Sequence, residues 1–310
     1  MTITTIAPHS INWNYTYSCN LSCNHCYSRS PKYPNELSTD DYLNIAQQII
    51  DAKVFSVGLG GGEPLIRKDY ALILNKLGQA GVQTHITTNG WFVDQKIAEK
   101  LAKIRLGMLG ISLDSPYEEA HDTFRNQPGS FRKVIEAIRN SVEVGLKVYL
   151  SSVVNATNTE TIEKFVTFGE QEKIAGINFK IFRPAGQGLI NKDKYILSSD
   201  VLSQVVEKIN ELKSQTSLDI SLYQDAGTQG CYCGITQLTI RPNGDVSMCP
   251  YDGQVIGNVI KTPLEVLWLE SFELNARRNG KPCCIAEKDQ TWPFNPYLEE
   301  QDNKVFVNTP

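Results

Sequence analysis

The stretch TYSCNLSCNHCYSRS, Thr16 to Ser30, places Cys19, Cys23 and Cys26 within eight residues. Three thiols in one short loop are more than packing needs and one fewer than a closed tetrahedral metal site takes. Zinc sites usually match a C-x2-4-C doublet with a second doublet or a His pair. Neither lies nearby, and His25 between Cys23 and Cys26 is awkwardly placed to join them on one ion. A zinc ion with a distant fourth ligand, or coincidence, stays open at this level. Three thiolates on one loop suit a 4Fe–4S cube instead: cysteines hold three of its irons, and the fourth is left for a substrate or cofactor.

The other cysteines are Cys231, Cys233, Cys249, Cys283 and Cys284, and residues 27–230 contain none, which points to two sites in two regions. The chain has 310 residues, 41% apolar and 21% charged, as in a soluble globular protein longer than one ordinary domain. Its net charge of −4 offers no basic field for nucleic acid or an anionic membrane. The opening MTITTIAPHSINW lacks the basic and apolar regions of a secretory signal, and no apolar run of about 18 residues exists. A cytoplasmic protein is expected, and there cysteines serve as reduced ligands rather than disulfides.

Outward from the cysteine loop the pattern alternates. Apolar, β-branched runs of strand length occupy 11–17, 54–60, 82–88, 106–113, 147–154 and 176–182. Amphipathic stretches at 39–52, 69–80, 94–103, 130–144, 159–172 and 199–215 read as helices; Ser38 and Thr39 are N-cap candidates for the first, and SSD at 198–200 caps the last. Successive strand–helix units imply parallel strands joined by right-handed crossovers, in an open sheet or a barrel. After about 216 the character changes. GITQLTIRPNGDVSMCPYDG reads as a β-hairpin, TPLEVLWLESFELNARR as a helix, and the Pro- and aromatic-rich tail as a surface wrap. The expected divisions are therefore 1–215, 216–285 and 286–310.

With C-x3-C-x2-C followed by Tyr27, GGE at Gly61, Gly62 and Glu63, TTNG at 87–90 and SLD at 112–114, the chain resembles the radical S-adenosylmethionine (SAM) superfamily. The resemblance covers about residues 11–215. It implies an α/β fold, a partial six-strand (β/α)6 TIM-like barrel with its motifs on the rim where strands end. It also implies a 4Fe–4S cluster on Cys19, Cys23 and Cys26 whose free iron is chelated by the amine and carboxylate of SAM. One-electron cleavage of SAM then yields a 5′-deoxyadenosyl radical that takes a hydrogen atom from a C–H bond. In that reading the glycines let backbone approach the amine closely and Glu63 accepts its hydrogen bond. Asn89, Ser112, Asp114 and Ser152 are candidates for the ribose or carboxylate, or else strand-end caps. Arg183, in FRPAG after the sixth strand, suits a carboxylate, or else a structural ion pair.

Cys231-x12-Gly244-x4-Cys249 and the following IGNV…PLEVLW resemble the SPASM or shorter twitch extension, which carries an auxiliary iron–sulfur cluster. Four of Cys231, Cys233, Cys249, Cys283 and Cys284, or three with an open iron, are expected to hold one such cluster; a structural zinc is the alternative. Such extensions accompany enzymes that modify ribosomally made peptides. SINWNYTYSCNLSCNHCYSRS, VGLGGGEPLIR and FKIFRPAG look most like maturases of nif11-type precursor peptides, of the splicease group. That group excises tyramine from a Tyr-Gly site and leaves an α-keto-β-amino residue. The first strand starts near residue 11, so the precursor peptide's leader is expected to be held by a separate small leader-binding protein or by the barrel itself, beside an electron donor such as flavodoxin or ferredoxin. Epimerisation, crosslinking and oxidation of a small molecule are the other chemistries this resemblance allows. Tyr223 and Asp225 are loose candidates for lining the substrate path.

Overall fold

A computed structural model describes residues 7–28, 35–223, 233–251 and 254–276. Cys231, Cys283, Cys284, Asp225 and the 286–310 tail lie outside the described residues. In chain order the strands are β1 (Ser10–Thr16), β2 (Ser56–Gly61), β3 (Gln83–Thr88), β4 (Met108–Ser112), β5 (Val148–Val154), β6 (Gly176–Ile181), β7 (Asp219–Tyr223), β8 (Gln237–Ile240), β9 (Asp245–Ser247) and β10 (Val255–Asn258). The helices are α1 (Thr39–Asp51), α2 (Tyr70–Gln79), α3 (Gln95–Ala102), α4 (Glu118–Arg125), α5 (Ser130–Glu143), α6 (Ile162–Gln171), α7 (Gln187–Ile190), α8 (Lys192–Tyr195), α9 (Ser199–Gln215) and α10 (Leu264–Ala276). Among the described residues no helix is long and apolar enough to cross a membrane.

The chain folds into two compact units. The first holds residues up to Cys19, Ser28–His85 and those from Asp225 onward; the second holds Asn20–Tyr27 and Ile86–Gln224. The division falls inside β3.

In the first unit β1 runs parallel to β2, with Ile11 opposite Val57 and Trp13 opposite Leu59. On its other side β1 runs parallel to β8, with Ile11 opposite Leu238 and Trp13 opposite Ile240. Ile11, Trp13, Val57, Leu59, Leu238 and Ile240 are all buried, as expected for strands covered on both faces. Helix α1 covers them with Tyr42, Ile45 and Ile49, and starts in a capping box in which the Ser38 hydroxyl accepts from Asp41 N and the Asp41 carboxylate accepts from Ser38 N. The expected hairpin is β8–β9, antiparallel, extended by antiparallel β10. Helix α10 follows, and Leu264 N donates to the Gln48 side chain of α1 at 2.9 Å.

In the second unit β4, β5, β6 and β7 run parallel, with Leu109 opposite Val148, Leu150 opposite Ile177, and Ile177 opposite Ile220. Helices α5, α6 and α9 each turn buried apolar residues toward this unit's core, Ile138, Phe165 and Ile209 among them.

Several elements add to those expected. Strand β7, after residue 216, continues the parallel ladder of the second unit, while β8 joins β1 in the first. A strand of four or five residues carries too little pattern to advertise its neighbour. Strand β10 and the short helices α7 and α8 are also additions. Helix α4 is likewise absent from the helices expected. It carries Glu118 and Glu119 in its first turn and ends on Asn126, whose left-handed φ of 52° is a C-cap. Its sequence EEAHDTFR is mostly polar, so apolar periodicity is weak there.

Candidate cofactor site

The approach to the cysteine loop is built in the first unit. Strand β1 ends at Thr16, three residues before Cys19. The Glu36 carboxylate accepts from Thr16 Oγ1 at 2.8 Å and from Tyr17 N at 2.7 Å. Arg67 pairs with Glu36 at 3.1 Å and with Asp69, and its guanidinium lies 4.1 Å from the Tyr42 ring centre. Asp69 also accepts from Tyr15 Oη and Thr39 Oγ1, both at 2.7 Å. Burial opposes its charge, but these donors prevail and hold its carboxyl down at about 2.

The GGE segment meets the same stretch of backbone. Gly62 N donates to Thr16 O at 2.7 Å and Glu63 N to Ser18 O at 2.8 Å. Gly61 has φ of +99°, and a Cβ on Gly62 would stand 2.2 Å from Ser18 O. The close approach these glycines permit is thus to the chain leading into Cys19. Glu63 is fully buried, and its Oε1 accepts from Leu65 N at 3.1 Å, capping a 3-10 turn over Pro64–Ile66.

The rest of the loop belongs to the second unit, where the ends of β4, β5 and β6 lie together in a parallel ladder. Asn89 Nδ2 donates to Asn20 Oδ1 at 2.8 Å, and Asn89 Oδ1 accepts from Trp91 N, so both ends of this carboxamide serve the loops. Asn24 N donates to Phe124 O at 3.3 Å and the Asn24 side chain to Thr123 O at 3.0 Å. His25 stacks on Phe124 with ring centres 4.0 Å apart and planes at 3°. Burial first, then the Arg125 charge, pushes His25 down to about 3, so it is neutral. The FRPAG loop closes over the end of the motif. Gln187 N donates to Cys26 O at 2.8 Å, and a Cβ on Gly186 would stand 2.4 Å from Tyr27 O. Tyr27 and Arg183 are half-buried beside this loop, Ser112 is half-buried at the end of β4, and Ser152 is buried in β5.

Of the two roles open to Asp114, ligand or strand-end cap, the second has visible partners: its buried carboxylate accepts from Arg125 Nε at 2.7 Å through Oδ2 and from Val153 N at 2.8 Å through Oδ1. Burial opposes its ionisation, but the Arg125 charge overrides it and holds the carboxyl below its usual range. His121 lies 3.9 Å from the same carboxylate. Because Asp114 N donates to His121 Nδ1, and burial pushes the imidazole down to about 4, that contact is not an ion pair. Sequence reading missed Phe124 and Arg125; the signal available was the glutamate-led, Asn-ended α4 that carries them.

Of the three loop cysteines, Cys19 is exposed, Cys26 half-buried and Cys23 buried. Among the described residues no three His, Cys, Asp or Glu side chains already converge as a metal-binding group. The donor set itself fits an iron–sulfur cluster: three soft thiols on one loop. Cys19, Cys23 and Cys26 would hold it.

In the hairpin, Cys233 and Cys249 are both buried, and Gln237 Nε2 donates to Cys233 Sγ at 3.1 Å. The turn at Asn243–Gly244 docks beside the approach to the first cysteine: Tyr17 Oη donates to Asn243 Oδ1 at 3.2 Å, and Tyr42 Oη lies 3.2 Å from Pro242 O.

Comparison with known proteins agrees with this geometry. The radical SAM superfamily model matches residues 13–169, and the SPASM model, an iron–sulfur cluster-binding domain, matches residues 231–294. Fe-coproporphyrin III synthase of Methanosarcina barkeri is 34% identical over 90% of this chain and 78% of its own length. Mycofactocin maturase MftC of Mycobacterium tuberculosis is 29% identical over 82% of this chain and 68% of its own. The crystal structure of Streptococcus suis SuiB bound to precursor peptide SuiA matches with a TM-score of 0.73 at 21% identity, a likeness of fold. That match covers 84% of this chain, which spans 64% of the SuiB chain. The chain belongs to the radical SAM superfamily: it is an enzyme that holds a 4Fe–4S cluster and SAM, with a SPASM iron–sulfur extension.

Proposed function

We propose that this enzyme modifies a ribosomally made precursor peptide, excising tyramine from a Tyr-Gly site to leave an α-keto-β-amino residue. The observation that carries the peptide reading is the similarity to mycofactocin maturase across 82% of the chain, joined to the SPASM match. The tyramine step rests on the resemblance of the cysteine loop, GGE and FRPAG segments to the splicease group. Bound cluster and SAM supply reductive cleavage of SAM and hydrogen-atom abstraction from the target residue.

The chain's own residues position these groups. Glu63, Tyr27, Ser112, Ser152 and Arg183, with the backbone at Gly61 and Gly62, are assigned to SAM; Asn89 and Asp114 are assigned to holding the loops. Cys233 and Cys249, with members of the set Cys231, Cys283 and Cys284, are assigned to one auxiliary cluster. A small leader-binding protein, a flavodoxin or ferredoxin as electron donor, and a cytoplasmic setting complete the proposal.

The test is anaerobic co-expression with short peptides that contain Tyr-Gly, followed by mass analysis. Loss of a tyramine unit supports the proposal. Loss of two hydrogens, or deuterium uptake without other change, replaces it with crosslinking or epimerisation.

A second reading, oxidation of a small molecule, is favoured by the 34% identity to Fe-coproporphyrin III synthase. It requires that 5′-deoxyadenosine formation rise with a tetrapyrrole and stay flat with peptide.

A further inference from the structure

We propose that Glu36 is a positioning residue for the cluster: locked by Arg67, its carboxylate holds the Thr16 hydroxyl and the Tyr17 N–H and so sets the course of the backbone into Cys19. The argument starts from exposure. Cys23 is buried and Cys26 half-buried, whereas Cys19 is exposed. Packing therefore does little to place the first ligand, and the backbone before it has to.

That backbone is gripped from two sides. The GGE segment takes its carbonyls: Gly62 N donates to Thr16 O at 2.7 Å and Glu63 N to Ser18 O at 2.8 Å. Glu36 takes its N–H groups. Glu36 Oε1 accepts from Tyr17 N at 2.7 Å and from Thr16 Oγ1 at 2.8 Å. With its proton given to Glu36, the Thr16 hydroxyl turns a lone pair to Ser18 N and accepts from it at 3.0 Å. One carboxylate thus governs two successive N–H groups, one directly and one through Thr16, and the next residue is Cys19.

The carboxylate is itself fixed. Its other oxygen pairs with Arg67 Nη1 at 3.1 Å, with the two side chains 23% and 15% exposed. Arg67 also donates from Nη1 to Leu37 O at 3.2 Å and from Nε to Asp69 at 3.0 Å. Leu37 N donates to Pro242 O at 2.9 Å, so the turn of the C-terminal hairpin backs the residue beside Glu36. A carboxylate with both oxygens engaged by charged or backbone donors holds one arrangement. Groups one step out from a metal ligand orient it in this way. The competing account makes Glu36 a counter-ion of Arg67 that stabilises the fold and does nothing particular for the cluster. The inference rests on superfamily membership and not on the substrate.

The experiment follows iron loss from the anaerobic holoenzyme to bathophenanthroline disulfonate, read by electron paramagnetic resonance of reduced aliquots, with urea midpoints measured alongside. The signal that changes on adding SAM is taken as that of this cluster. Glu36→Ala is expected to lose that signal about tenfold faster than the parent, while the signal indifferent to SAM decays at the parent rate. Glu36→Gln keeps an acceptor for Tyr17 N and should fall between the two. Parent-like decay in Glu36→Ala overturns the proposal, as does equal acceleration of both signals, the mark of a general loosening. A Glu36→Gln protein as labile as Glu36→Ala also overturns it, because the Arg67 charge alone would then carry the effect. Should Glu36→Ala fail to fold, Thr16→Val decides, since it removes only the hydroxyl relay. Faster loss of the SAM-responsive signal at an unchanged urea midpoint supports the proposal, and parent-like loss overturns it.

Discussion

At the scale of single residues, the site depends on backbone contacts too close for a side chain. Gly62 lies where a Cβ would stand 2.2 Å from Ser18 O, and a backbone carbonyl cannot swing away. Gly62→Ala is expected to destabilise the protein by about 1–3 kcal/mol and to lower iron loading, since Ser18 adjoins Cys19. Urea melts and iron analysis of reconstituted protein check both. His121 makes a second prediction. Its imidazole is buried, accepts from Asp114 N, and is pushed down to about 4 from an ordinary value near 6.5. A histidine kept neutral in the fold gains a proton on unfolding at mildly acid pH. Its contribution is whole above about pH 6.5 and is lost as pH falls toward about 4, by up to about 1.4 kcal/mol per pH unit within that window. Stability against pH should therefore fall less steeply in His121→Asn than in the parent between those limits. Parallel slopes would show that His121 is not held neutral.

Among elements, α4 meets the cysteine loop through Phe124, which stacks on His25, and its junction with α5 is tied through Asp122. Asp122 accepts from Gly129 N at 2.6 Å, Phe131 N at 2.7 Å and Ser130 Oγ at 2.8 Å, capping α5 from the neighbouring helix. Asp122→Ala should cost about 1–2 kcal/mol in denaturant unfolding. Strands β1 to β6 are readable in the sequence to within one or two residues because their apolar runs are long and bounded. The hairpin is readable from its Asn-Gly turn. Helix α4 is not, because eight mostly polar residues leave little periodicity. The three loop cysteines are legible because their spacing is local. The Asp114–Arg125 pair is not, because it joins a strand end to a helix end that only the folded backbone brings together. Asp114 is visible as a motif residue, but its partner Arg125 is hidden, so the sequence leaves it open between a ligand and a strand-end cap.

For the whole molecule, the C-terminal segment is structurally continuous with the front of the chain. Strand β8 covers β1 along Ile11–Trp13, and α10 is tied to α1 through Gln48. A chain ending at residue 223 would expose that face of β1 and should lose the cooperative unfolding of the full chain; circular dichroism during denaturation checks this. A truncated chain that melts like the parent would mean the SPASM segment is an independent appendage. The central claim is that Cys19, Cys23 and Cys26 carry the cluster that cleaves SAM. The direct measurement is 5′-deoxyadenosine formed by anaerobically reconstituted, reduced protein, beside a variant with all three cysteines changed to Ala. The account predicts product from the parent and none above background from the variant, with the auxiliary region intact in both. Equal product from the two proteins would contradict it.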